Sequence, residues 1–62
     1  MTTEAQAYER AFQTHLRSCR FWEAREHRPP VPEAELRRQF EAAGHRAYQR
    51  AEAIAAELPP PG

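Results

Sequence analysis

The chain has 62 residues, enough for one small domain, and a core of that size rarely supplies more than about 3–5 kcal/mol without a disulfide, a metal or an oligomer. Nine basic and nine acidic residues leave no net charge, which argues against a large electrostatic footprint for nucleic acid, and the lone cysteine, Cys19, excludes an internal disulfide. No apolar run approaches the ~18 residues needed to span a bilayer, and Met1-Thr2-Thr3-Glu4 carries neither the basic segment nor the apolar stretch of a signal peptide, so the expected setting is reducing and cytoplasmic, with no membrane partner.

Every cation is Arg and every anion is Glu; Lys, Asp and Asn are absent. Arg and Glu are good helix formers, whereas Asp and Asn compete for the backbone and favour caps and turns. The composition therefore points to an all-α fold.

The first element is a helix over residues 3–26. Thr3-Glu4-Ala5-Gln6 fits a capping box, in which the Thr side chain accepts from a backbone N–H and the Gln side chain reaches back. Ala5, Tyr8, Phe12, His15, Leu16, Cys19 and Trp22 then recur every three or four residues and form one apolar stripe, opposite Arg10, Gln13, Arg17 and Arg20. Phe21 breaks the pattern by lying among the arginines. It is either tucked under the following hinge, against Val31 or a proline, or exposed as a contact for another chain.

A Pro-rich hinge, 27–32, separates this helix from a second one predicted over 32–58. Pro32 suits a first helical position, and Glu33 and Glu35 suit the positive end of the helix dipole. Leu36, Phe40, Ala43, Ala47, Ala51, Ile54 and Leu58 keep the helical period until Pro59-Pro60-Pro61 stops it. Gly44 falls in the middle of this run at a cost of about 1 kcal/mol relative to Ala. Either it lets another helix approach, or it ends the helix and a third begins near Arg46. No Ser, Thr, Asp or Asn is present to cap a third helix, so the expectation is one continuous helix.

Folding the two helices back on each other near residues 29 and 30 sets large residues against small ones. Tyr8 faces Ala51, Phe12 faces Ala47, Leu16 faces Ala43, Cys19 faces Phe40, and Trp22 faces Leu36 or Arg37. A two-helix antiparallel hairpin leaves bulky stripes half covered, so the expected assembly is a homodimer forming a four-helix bundle, or else docking on a larger protein. The expected seam is Tyr8, Phe12, Leu16, Trp22, Phe40, Ala47 and Ile54. In outline this resembles the small plasmid copy-number regulators that dimerise as helical hairpins and bind RNA loops, although no residue motif is shared and no functional residue carries over.

Chemistry finds little support. Glu23/His27 and Glu41/His45 are four apart, a spacing that puts both side chains of a pair on one helical face. Helical-bundle carboxylate sites instead use Glu and His three apart, so the pairs read as solvated surface unless assembly brings several together. Cys19 with His15 one turn away lies on the apolar stripe, where a thiol is a small packed hydrophobe rather than a nucleophile. No phosphate loop, serine-nucleophile motif or CxxC pair occurs, and the expectation is a non-enzymatic protein with no catalytic, cofactor or metal residues. The functional reading is a protein–protein interaction module acting through its apolar seam. The alternative is a nucleic-acid-binding regulator: residues 17–38 hold Arg17, Arg20, Arg25, Arg28, Arg37 and Arg38 against four Glu, which makes the hinge end mildly basic. A second alternative is a metal-binding helical bundle formed on assembly. Those arginines and Phe21 are the candidate partner contacts.

Overall fold

A computed structural model describes residues 3–57. It is all-α, with three helices: α1 (Glu4–Arg25), α2 (Glu33–Ala43) and α3 (His45–Ala55). Leu58 and the closing prolines lie outside the described residues. Among those residues no helix is long and apolar enough to cross a membrane.

α1 starts where the capping box predicts. The Thr3 hydroxyl accepts from the Gln6 backbone N–H at 3.1 Å, and the Thr3 N–H donates to the Gln6 side-chain oxygen at 3.0 Å. Its end is equally specific. Glu26 is the C-cap, His27 follows with a left-handed φ of 56°, the His27 N–H donates to the Ala24 carbonyl at 3.3 Å, and the Arg28 N–H donates to the Glu23 carbonyl at 2.9 Å. That pair of bonds is a Schellman motif, in which a histidine occupies the position glycine usually takes.

The continuous second helix is corrected: Gly44 divides it. Gly44 has φ 61° and ψ −132°, a region closed to most L-residues, and it serves as the last cap of α2 and the first cap of α3 at once. Its N–H donates to the carbonyls of Phe40 and Glu41, each at 3.2 Å, and its carbonyl accepts from Ala47 at 3.1 Å and Tyr48 at 3.2 Å. α3 starts with no side-chain cap: the Gly44 carbonyl takes its first helical bonds while the positive φ turns the chain, so the missing Ser, Thr, Asp or Asn does not prevent a third helix. The start of α2 also shifts by one residue: Pro32 is the N-cap, and its carbonyl accepts from Glu35 and Leu36.

The break sends α2 and α3 to different flanks of α1. α2 brings Phe40 onto the predicted stripe, where its ring centroid lies 5.2 Å from Tyr8, 5.6 Å from Phe12 and 5.4 Å from His15, the two Tyr and Phe contacts being edge-on. α3 crosses α1 where Ala11 and Ala51 are buried and Thr14 is buried beside them, small side chains that let two backbones approach closely. The Thr14 hydroxyl meets its hydrogen-bonding need by donating to the Arg10 carbonyl at 3.1 Å. The core is Ala11, Phe12, Leu36, Phe40 and Ala51, with Tyr8, Leu16, Cys19, Val31, Ala47 and Tyr48 packed around it.

The expected register is corrected as well. Phe40 sits against Phe12 rather than Cys19, about two helical turns nearer the start of α1. The cause lies in the hinge. Extended, proline-bearing chain advances about 3.1 Å per residue, twice the helical rise, so residues 28–32 carry the start of α2 further back along α1 than an even fold at residue 29 allows. One side chain fixes that path. Glu23 is 7 % exposed, and its carboxylate accepts from the Val31 N–H at 2.9 Å and from Arg20 at 2.8 Å.

A second clasp ties α1 to α2. The Arg37 guanidinium grips the Glu9 carboxylate with two bonds of 2.8 and 3.0 Å while lying 4.1 Å over the Phe12 ring. The Arg37 bond, with a further one from Gln13, draws the Glu9 pKa down to about 2, and the Val31 and Arg20 bonds lower that of Glu23. Both carboxylates are held below the unfolded value near 4.3, so both clasps stabilise fully above that value and weaken as pH falls below it, the Glu9 clasp being lost towards pH 2. The expected result is a urea midpoint that drops between pH 5 and pH 2.5. Added salt should weaken the contribution of half-exposed Glu9 and leave that of buried Glu23, which Glu9→Gln and Glu23→Gln variants separate.

Candidate functional site

Two neighbouring residues near the end of α1 set the site. Phe21 is 53 % exposed and Trp22 is 50 % exposed, the two large apolar side chains left in water among the described residues. They meet edge-on with centroids 5.3 Å apart, so they form one ledge. Phe21 is not tucked under the hinge; of its two possible settings the exposed one is found.

The ledge borders a groove of about 810 Å³ between the second half of α1, the hinge and the end of α3. Cys19, Val31, Leu36 and Ile54 supply apolar lining, and His15 also borders it. The charged rim is mixed: Glu26 and Glu57 are set against Arg28 and Arg50. α3 opens this groove because it crosses α1 at Ala11 and Thr14 and leaves the stretch around Cys19 and Trp22 uncovered. A continuous second helix would have lain along that stretch.

The predicted seam residues are therefore divided. Phe12 and Phe40 are enclosed by the chain itself, at 0 % and 1 % exposure. Tyr8, Leu16, Ala47 and Ile54 are partly buried, and Trp22 is half bare in the groove with Ile54. Of the candidate cationic contacts, Arg20 pairs with Glu23, Arg28 with Glu26, Arg37 with Glu9 and Glu33, and Arg38 with Glu35. Arg25 is exposed in the last turn of α1, and Arg17 is engaged elsewhere on the molecule. The structure gives the Arg-rich end counter-charges rather than a bare basic face.

Neither spaced Glu/His pair shares a helix. His27 lies beyond the end of α1 while Glu23 is committed to Val31 and Arg20, and Glu41 and His45 stand on either side of Gly44 in different helices. Among the described residues no three His, Cys or Glu side chains converge.

His15 and Cys19 do meet. The His15 Nε2 atom lies 3.6 Å from the Cys19 sulfur, one turn apart on α1 and facing the groove. Burial, helped by the charge of Arg50, lowers the histidine pKa, and burial followed by Glu23 raises that of the thiol. Both shifts favour the neutral pair over the thiolate and imidazolium that an activated cysteine nucleophile requires.

Glu23 is the residue that sequence reasoning placed wrongly. It is the buried pin of the hinge, not half of a solvated surface pair with His27. The available signal was its position one turn after Cys19, on the edge of the stripe, with Arg20 three residues before it. No protein family, curated protein or solved structure matches the chain.

Proposed function

We propose that this protein is a small non-enzymatic interaction module that pairs with a second copy of itself through the groove beside Phe21 and Trp22. The observation that carries the reading is the exposed aromatic ledge set against an open apolar concavity on the same face. A projection and a cavity on one face are what a twofold, self-complementary interface uses, since each copy then offers both parts to the other. Of the rim charges, Glu26 and Arg28 pair within one chain, while Arg50 and Glu57 bring opposite signs to such an axis. Zero net charge leaves no long-range repulsion between copies.

Energetics favours the same reading. The enclosed core holds five side chains, two of them alanines, and a domain of this size gains much of its stability from assembly. The proposed dimer is not the four-helix bundle of hairpins, because Phe12 and Phe40 are already consumed inside each chain. Nucleic-acid recognition is the weaker reading, since Arg20, Arg28, Arg37 and Arg38 each have a glutamate partner.

Sedimentation equilibrium in the presence of chelator tests this directly. The weight-average mass should rise towards twice that of the chain with increasing concentration. A Phe21→Ser/Trp22→Ser variant, altered only at exposed positions, should keep its helical circular dichroism and remain monomeric. A wild-type mass that stays monomeric at all concentrations would overturn the proposal.

A further inference from the structure

We propose that the cleft between α2 and α3, bordered by Arg46 and Arg50, binds the dianionic group of a small phosphate monoester. The site lies on a single chain and does not depend on the proposed pairing.

Charge sets this cleft apart. It holds about 160 Å³, and its polar lining is Arg46, Arg50, Gln39 and His15, with no carboxylate among the described residues. The groove beside Trp22 differs, being lined by Glu23, Glu26 and Glu57, and the small cleft between α1 and α3 carries Glu52 with Arg10. Elsewhere the arginines are neutralised. Arg20, Arg28, Arg37 and Arg38 each hold a glutamate, whereas no ion pair joins Arg46 or Arg50 to a carboxylate among the described residues.

The placement of these two arginines is unfavourable for the fold. They stand one turn apart on α3, so like charges share one helical face. His45 and Arg46 also occupy the first turn of α3, at the positive end of its dipole, where no acidic residue offsets them. The other helices obey the rule, since Glu4 opens α1 and Glu33 and Glu35 open α2. His15 registers the same field: burial lowers its pKa, and the charge of Arg50 lowers it further. Cations left unneutralised around a recess are relieved by an anion, and local departures from the electrostatic rules gather where a chain binds something.

Chemistry selects the anion. Each guanidinium presents N–H donors in a planar fork that matches a phosphate group, and two of them match a double charge. A phosphate monoester carries about −1.5 to −2 at neutral pH and so neutralises the pair, whereas a diester brings a single charge. Gln39 has a second amide N–H beyond the one it gives to Glu35 at 3.3 Å. Phe40 and Ala47 add an apolar wall for the organic part of the ester.

The experiment is a titration of dilute protein with phenyl phosphate at constant ionic strength and about pH 7.5, where the ester is dianionic, followed by NMR. The expected result is saturation at one ligand per chain, with the largest shifts at the His15 ring and the guanidinium groups of Arg46 and Arg50. Arg46→Gln should weaken binding at least about tenfold, the loss expected for one charged hydrogen-bonding partner. Arg46→Gln/Arg50→Gln should abolish binding with helical circular dichroism unchanged, and Arg25→Gln, at an exposed position outside the cleft, should bind as the wild type does. Dimethyl phosphate should bind more weakly than the monoester. Equal affinity for the diester, His15 shifts reproduced by chloride alone, unchanged affinity in the double variant, or a folded wild type that shows no saturable shift would overturn the site.

Discussion

Phe40→Ala is expected to leave the chain largely unfolded as a monomer. Phe40 is 1 % exposed, and its ring contacts Tyr8, Phe12 and His15, so one truncation removes the α2 half of three aromatic contacts. Emptying a buried phenylalanine site costs about 3–5 kcal/mol, which matches the whole stability of a core this small. The secondary structure would go with it. α2 has only 11 residues and no side-chain cap, and isolated helices of that length are marginal in water. Far-UV circular dichroism under dilute conditions should show most of the helical signal lost, with Phe40→Leu keeping most of it. A Phe40→Ala chain that retains a cooperative urea transition near the wild-type midpoint would show that Phe40 does not hold α2 to α1.

Gly44→Ala is expected to destabilise the fold by about 1–3 kcal/mol while raising helix content, a combination that ordinary alanine substitutions do not give. A Cβ on Gly44 would meet nothing within 4 Å, so the cost is not a clash with a neighbour. It comes from the backbone: φ of 61° with ψ of −132° is open to glycine and strained for an L-residue. The chain can escape that strain by running α2 straight into α3, which alanine favours over glycine by about 1 kcal/mol. A straight helix carries Ala51 away from Ala11 and undoes the crossing that closes the core. The expected readout is a lower urea midpoint together with stronger helical circular dichroism. A higher midpoint would mean that the helices are not broken at residue 44.

Much of this fold is legible in the residues. The capping box at Thr3, the stripe through Tyr8 and Phe12, the position of the hinge and the burial of Leu36, Phe40 and Ala51 all follow from local propensity and a 3.6-residue period. Gly44 was visible as a candidate break, but weighing it by side-chain caps gave the wrong answer, because α3 starts from the Gly44 carbonyl and the turn at its positive φ, with no side-chain cap. The second flank of α1 was hidden for a related reason. Ala11 and Thr14 look neutral beside an aromatic stripe, and only a helix crossing at close range gives small residues a core role. Glu23 was hidden because a carboxylate reads as surface until the hinge amide it serves is known. The aromatic ledge was half legible: Phe21 stood out as misplaced, whereas the exposure of Trp22 depends on where α3 goes.

Trp22 is the chain's one tryptophan and stands on the proposed interface, so its fluorescence measured against protein concentration tests the central claim most directly. In chelator, the proposed dimer predicts the emission of a half-exposed indole in dilute solution. That emission should move to shorter wavelength as copies associate and return on dilution, with the helical circular dichroism unchanged throughout. Emission that keeps the character of exposed indole at every concentration, in a chain that stays folded, would contradict pairing through this groove.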